Sequence, residues 1–163
     1  MPSQRLTESS VVARLSLVVG LPVLGTGNSF LAKISAALKA GQEVRVPENE
    51  IRTPIDVITL GQALLELAAN DFTGLLHLAG STRLNRYQMA RQIAQRLGHA
   101  AAQVVATDSN AMEGRAPRPS DASLDNSKAR HALKTPMQTL MDGLDLVIMS
   151  KEKQKDESPR DQT

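Results

Sequence analysis

The chain has 163 residues, enough for one domain that buries about 70% of its unfolded surface. Hydrophobic residues make up 41% of it but aromatics only 2%, so any core is assembled from Ala, Leu, Val and Ile. A net charge of +2, with no stretch alternating basic and aromatic residues, argues against a nucleic-acid partner, and the absence of cysteine excludes disulfides and thiolate chemistry. The longest apolar run, from Val11 to Leu24, is interrupted by Arg14 and is too short and too polar to span a membrane. The first eight residues lack the apolar core and small-residue cleavage site of a signal peptide. A cytoplasmic location is expected.

In chain order, Val11 to Val19 is β-branched, nearly continuously apolar and stopped by Gly20, which predicts a strand buried on both faces as in a parallel sheet. A loop over 20–27 follows, with Asn28 placed as the N-cap of a helix. Phe30, Ile34, Ala37 and Leu38 form the apolar face of that helix, which ends near Gly41. Glu43 to Val46 predicts a short strand, and Asp56 caps a second helix carrying Val57, Leu60, Ala63, Leu64 and Leu67. Gly74 to Ala79 reads as another buried strand. Asn85 caps a third helix that runs to Leu97 and stops at Gly98, and Gln103 to Ala106 is a short strand. A polar loop with Pro117 and Pro119 occupies 108–123, followed by helices over 125–133 and 136–149. The run from Ser150 is charged and lacks apolar residues, so 1–149 is expected to fold and 150–163 to be a disordered tail. Alternating strands and helices indicate an α/β fold. A strand of sheet-centre character with about ten residues before it would leave an exposed edge, which predicts that further chain belongs upstream.

Four patterns look chemical. Gly20, Gly25 and Gly27 lie between a strand and a helix, where phosphate-binding loops sit. The Lys-Ser/Thr ending of a P-loop and the spacing of a dinucleotide loop are both missing, so a plain turn is favoured. Asn28, at a helix start, remains able to donate to an anion. Tyr87 and Arg91 nearly reproduce a Tyr-x-x-x-Lys pair, in which Lys lowers the phenol pKa for proton transfer. Arg in place of Lys and a position after the buried strand favour a packing tyrosine. His77, His99 and His131 lack metal-ligand spacing, and His77 suits a satisfied sheet-end residue. Arg115 and Arg118 stand in a proline-braced loop, where two guanidiniums can hold a diphosphate or carboxylate. Pairing of Arg118 with Asp121 or Asp125 to lock the loop is the equal alternative.

Taken together, these segments resemble the C-terminal part of extended short-chain dehydrogenases, most closely the substrate-binding region of the dTDP-4-dehydrorhamnose reductase family. Val12 to Gly20 is similar to that family's sheet strand ending beside the nicotinamide, and Gly27 to Phe30 resembles its Gly-Asn-Phe helix start. Arg52 to Val57 resembles its Pro-Thr/His-Val-x-Asp-Val stretch, and Gly74 to Gly80 its Gly-x-(Y/F)-His-x-(S/A)-Gly strand. Arg118 to Lys128 resembles its Arg-Pro to Leu-Asp-x-x-Lys signature, and the likeness extends over about residues 11–147.

The resemblance implies the C-terminal portion of a Rossmann-like fold: a partial parallel sheet with helices, holding a nucleotide-sugar at the C-terminal edge of its strands. It places Asn28, Phe30, Arg52 and Arg118 on the substrate, with Arg118 neutralising the diphosphate. Val19, Gly20, Leu21 and Pro22 would pass beside the nicotinamide of NAD(P) through backbone contacts. The family's glycine-rich cofactor loop and catalytic Tyr/Lys have no counterpart here, so this chain alone is expected to bind no dinucleotide tightly and to have no catalytic residue of its own. The expected function is therefore the sugar-nucleotide-binding portion of a reductase acting on a 4-keto-6-deoxy sugar nucleotide. The alternatives are part of an epimerase or dehydratase, or a regulatory module similar to the methionine adenosyltransferase β subunit that pairs with a partner enzyme. Self-association into a homo-oligomer is also open.

Overall fold

The structure, a computed structural model, describes residues 10–22, 27–111, 116 and 118–157. Its elements are β1 (Val11–Leu15), β2 (Val18–Val19), α1 (Phe30–Lys39), β3 (Val44–Pro47), β4 (Ile51–Arg52), β5 (Ile55–Asp56), α2 (Val57–Ala68), β6 (Gly74–Leu78), β7 (Leu84–Asn85), α3 (Arg86–Arg96), β8 (Val104–Thr107), α4 (Ser127–Ala132) and α5 (Leu140–Glu157). β1 pairs parallel with β6, β2 with β5 and β3 with β8, while β4 and β7 run antiparallel. The chain is α/β with parallel strands and packed helices, as its patterning predicts.

The apolar run at 11–19 is two strands. At Ser16 and Leu17 the backbone changes partner: Ser16 N–H donates to Leu78 O, and Leu17 O accepts from Ile55 N–H. Only Val19 of this run is buried; Val11 to Ala13 are half-buried and Leu15 is exposed. The expectation of a strand buried on both faces is thus corrected, because among the described residues β1 has a sheet neighbour on one side only.

Helix boundaries follow side-chain capping. Asp56 Oδ1 accepts from Thr59 N–H at 2.8 Å, and Asn85 with Gln88 forms a reciprocal capping box at the start of α3. Ser29 rather than Asn28 caps α1, its Oγ accepting from Ala32 N–H at 3.1 Å. Both residues suit the position, and the register of Phe30, Ile34 and Leu38 against the core decides between them. Gly41 and Gly98 end α1 and α3 with φ of 68° and 77°, where an L side chain is strained.

Among the described residues two apolar clusters form the core. One joins α1, α3, α5, β3 and β8 through Leu31, Ile34, Met89, Ile93, Leu144, Val46 and Val104. The other joins α2, α4, β5 and β6 through Ile55, Leu60, Leu67, Leu76, Leu78 and Ala129. Val57 and Leu64, assigned by periodicity to the buried face of α2, are exposed. The last helix also extends beyond its expected end, because α5 runs to Glu157 where a disordered tail was expected from Ser150. Lys, Glu and Gln are good helix formers, no proline occurs between Pro136 and Pro159, and Lys151 Nζ reaches Pro22 O at 3.4 Å. Residues 158–163 lie outside the described part.

Candidate functional site

The turn after β2 opens a cleft of about 260 Å³, lined by Val18, Gly20, Leu21, Pro22, Asn28 and Val57 among others. Three of the four residues expected beside a nicotinamide are therefore in one place. The fourth, Val19, turns its side chain into the core, leaving only its backbone for contact. Gly20 is required sterically, since a Cβ there would lie 2.9 Å from Val57 Cγ1. Gly27, at φ 63°, folds back so closely that a Cβ would meet Pro22 at 2.7 Å. Asn28 is exposed at the rim. Gly25 of the glycine pattern lies outside the described residues. The lining of this cleft is mostly apolar.

A second group assembles around Glu50, which is fully buried. Its Oε2 accepts from Arg52 Nη2 and from Arg86 Nη1, each at 3.2 Å. The Arg86 guanidinium carbon stands 4.7 Å from the centroid of the Phe30 ring, which links this group to the start of α1. Arg86, Phe30, Ile34, Ala37, Val44 and Val46 line a groove of about 380 Å³ between α1 and β3.

The Arg118 loop is fastened to the same strand. Ile51 N–H donates to Ser120 O at 2.6 Å and Ala122 N–H to Ile51 O at 3.1 Å. Leu124 N–H donates to Thr53 Oγ1 at 3.0 Å, and Arg52 Nη1 reaches Pro119 O at 3.4 Å. Arg118 itself is exposed and makes no hydrogen bond or ion pair among the described residues. Its expected acidic partners are engaged elsewhere: Asp121 pairs with Arg83, and Asp125 accepts from Ser127 N–H and Oγ–H. The alternative in which Arg118 locks its own loop is thereby set aside. Burial lowers the Arg52 pKa from its ordinary value, the Arg86 and Arg118 charges lower it further, and Glu50 and Asp121 oppose them. Arg115 lies outside the described residues.

Phe30, Arg52 and the loop carrying Arg118 are thus linked through Arg86 and Glu50, and Asn28 lies two residues before Phe30 at the cleft. Glu50 and Arg86 belong to the same group and carry no motif in the sequence. Tyr87 packs half-buried against the core with Arg91 5.6 Å from its ring centroid, as a packing tyrosine should. His77 Nδ1 lies 3.2 Å from Asp125 O, but its buried Nε2 has no partner among the described residues, so it is only half satisfied. Among the described residues no group of His, Cys, Asp and Glu could hold a metal ion, and no helix is long and apolar enough to cross a membrane.

The fold is Rossmann-like, of the kind found in extended short-chain dehydrogenases. Residues 4–152 match the RmlD substrate binding domain, and the chain belongs to that family. Among solved structures it is similar to dTDP-4-dehydrorhamnose reductase from Bacillus anthracis in complex with NADP, with TM-score 0.75 and 18% identity over 86% of this chain and 48% of that one. A hypothetical dTDP-4-dehydrorhamnose reductase from Sulfolobus tokodaii matches with TM-score 0.71 and 31% identity, over 85% of this chain and 47% of that one. A dTDP-glucose 4,6-dehydratase from Bacillus anthracis in complex with NAD matches with TM-score 0.67 and 14% identity, over 90% and 45%. The chain spans about half the length of each of these proteins. No curated protein matches it.

Proposed function

We propose that this chain binds a nucleoside-diphosphate sugar of the dTDP-4-keto-6-deoxy type, with Arg52 and Arg118 on the diphosphate and Asn28 and Phe30 beside them. One observation carries the proposal: Arg118 is an exposed guanidinium beside Arg52 with no ion-pair partner among the described residues, while the nearby carboxylate of Asp121 is paired with Arg83. Two planar cations with unused donors suit an anion with several oxygens. The cleft at Gly20 to Pro22 would take the nicotinamide end of NAD(P) when the rest of the cofactor's site is supplied by other residues. Bound there, the cofactor would supply hydride, and this chain's part would be to place the sugar against it. Alone, the chain would turn over no substrate and would act as the binding portion of a reductase.

Calorimetry with dTDP and with thymidine tests this. The diphosphate is expected to bind saturably and thymidine about tenfold or more weakly, since charge-assisted hydrogen bonds are worth about 1.5–3 kcal/mol. Equal affinity for the two, or no binding of dTDP, would overturn the proposal.

A second role, association with a partner enzyme or with another copy, is favoured by exposed Leu15, Val57, Leu64 and Leu65 and by β1 having one sheet neighbour among the described residues. Co-purification of a partner enzyme without dTDP binding would make this the primary role.

A further inference from the structure

A fully buried carboxylate is tolerated only where its charge is matched by cations in hydrogen-bonding reach. Glu50 meets this with two arginines from different elements, Arg52 on β4 and Arg86 at the first turn of α3, both donating to the same oxygen. Its backbone strengthens the link: Glu50 O accepts from Arg86 N–H at 3.0 Å, and the next residue, Ile51, pairs with Asn85 across the β4–β7 ladder. Arg52 and Arg86 are mostly buried, with side chains 12% and 20% exposed, so their like charges are close together in a poorly screened place. Without the carboxylate between them, each would turn to water or separate.

We propose that Glu50 is a positioning residue whose one carboxylate oxygen, shared by Arg52 and Arg86, fixes both guanidiniums as a single cationic unit. The unit spans two places already described. Arg52 faces the Arg118 loop through Pro119 O, and Arg86 stacks on Phe30 at the mouth of the α1–β3 groove. Glu50 therefore sets the distance between the anion-binding end and the apolar groove, and touches neither ligand part itself. This use of the unit rests on the nucleotide-sugar reading; the joint fixing of the arginines does not.

The test uses side-chain Nε–Hε resonances of the 15N-labelled, ligand-free chain, assigned with Arg52→Lys and Arg86→Lys. Arg86 Nε is buried, which slows exchange of its proton with water. In the Glu50→Gln variant the Arg52 and Arg86 signals are expected to move together and broaden, while those of Arg83 and Arg96, paired with Asp121 and Asp145, stay in place. An unmoved Arg52 or Arg86 signal in the folded variant would overturn the proposal. Should Glu50→Gln fail to fold, Arg86→Lys gives the same decision, because jointly held arginines require the Arg52 signal to respond. A dTDP titration adds a second readout. Loss of positioning lowers dTDP affinity about fivefold and leaves thymidine unchanged, since charge-assisted hydrogen bonds depend on geometry. A gain in dTDP affinity would mean that Glu50 only neutralises charge, and would overturn positioning. If the wild-type chain ignores dTDP, the nucleotide-sugar reading falls while the ligand-free spectra still decide the role of Glu50.

Discussion

Arg118 and Arg52 differ in what surrounds them, and their substitutions should separate accordingly. Arg118 is exposed and unpaired among the described residues, so Arg118→Ala is expected to weaken dTDP binding about tenfold while leaving the unfolding midpoint unchanged. Arg52→Ala removes a partner of a buried carboxylate, so both affinity and stability should fall, the latter by about 3 kcal/mol. Denaturant unfolding alongside calorimetry distinguishes the two patterns. Glycines give a sharper contrast. A Cβ at Gly80 would lie 1.9 Å from Pro54 O, whereas at Gly61, in α2, it would meet nothing within 4 Å. Gly80→Ala should destabilise by about 2 kcal/mol or more through forced backbone movement, and Gly61→Ala should stabilise by about 1 kcal/mol through helix propensity. Unfolding midpoints that rank these two variants the other way would contradict the packing described. At this scale the sequence was informative where a residue type is chemically unusual. Arg118 in a proline-braced loop and Asp56 before an apolar helix both stand out. Glu50 does not, because an acidic residue two places before an arginine on a two-residue strand has no distinguishing pattern. Its meaning comes from Arg86, brought across by the β4–β7 pair.

Elements were legible in proportion to their length and capping. α2 and α3 were recognisable from Asp56, Asn85 and an apolar repeat, whereas β4, β5 and β7, of two residues each, are shorter than any periodicity can reveal. The apolar run at 11–19 misled for a related reason: continuous hydrophobicity cannot show where a strand changes partner. Asn85→Ala should cost about 1 kcal/mol by removing the capping box of α3. The loop joining α4 to α5 is held on α2 by Glu66, which accepts from Lys134 N–H, Thr135 N–H and Thr135 Oγ–H at 2.6, 2.8 and 2.7 Å. These bonds, that from Lys134 first, lower the Glu66 pKa below its ordinary 4.5. Hydrogen bonds from Arg83 and then Ser123 lower Asp121, and those from Ser127 lower Asp125, each below an ordinary 3.8. Depressed carboxylates stabilise the fold above their unfolded pKa values, and that contribution is lost as pH falls through the folded ones. Unfolding midpoints should hold steady down to about pH 4.5 and then decline, with Glu66→Gln flattening the onset. All three carboxylates are solvent-accessible, so added salt should shrink the decline.

For the whole molecule, the ordered motifs from Val12 to Lys128 revealed the family, and the match over residues 4–152 agrees with that reading. What the sequence could not reveal is how the α2 surface is used. Val57 and Leu64 have the right spacing for a core yet stay exposed beside Leu65, which is 74% exposed. Helix periodicity shows that a face is apolar, but not which surface covers it. Concentration-dependent association in sedimentation is therefore expected, and a Leu64→Gln, Leu65→Gln double variant should reduce it. Catalysis is expected to require residues outside those described here, so the isolated chain should not oxidise NADPH with a dTDP-4-keto-6-deoxy sugar. We propose that Asn28, Phe30, Arg52 and Arg118 form one nucleotide-sugar site, with Arg86 beside Phe30. It is tested most directly by backbone amide shifts during a dTDP titration. Changes are expected to concentrate at residues 28–30, 50–53, 86 and 118–121; no change there, or changes centred instead on the cleft lined by Lys39, His99 and Lys151, would rule out a site at this place.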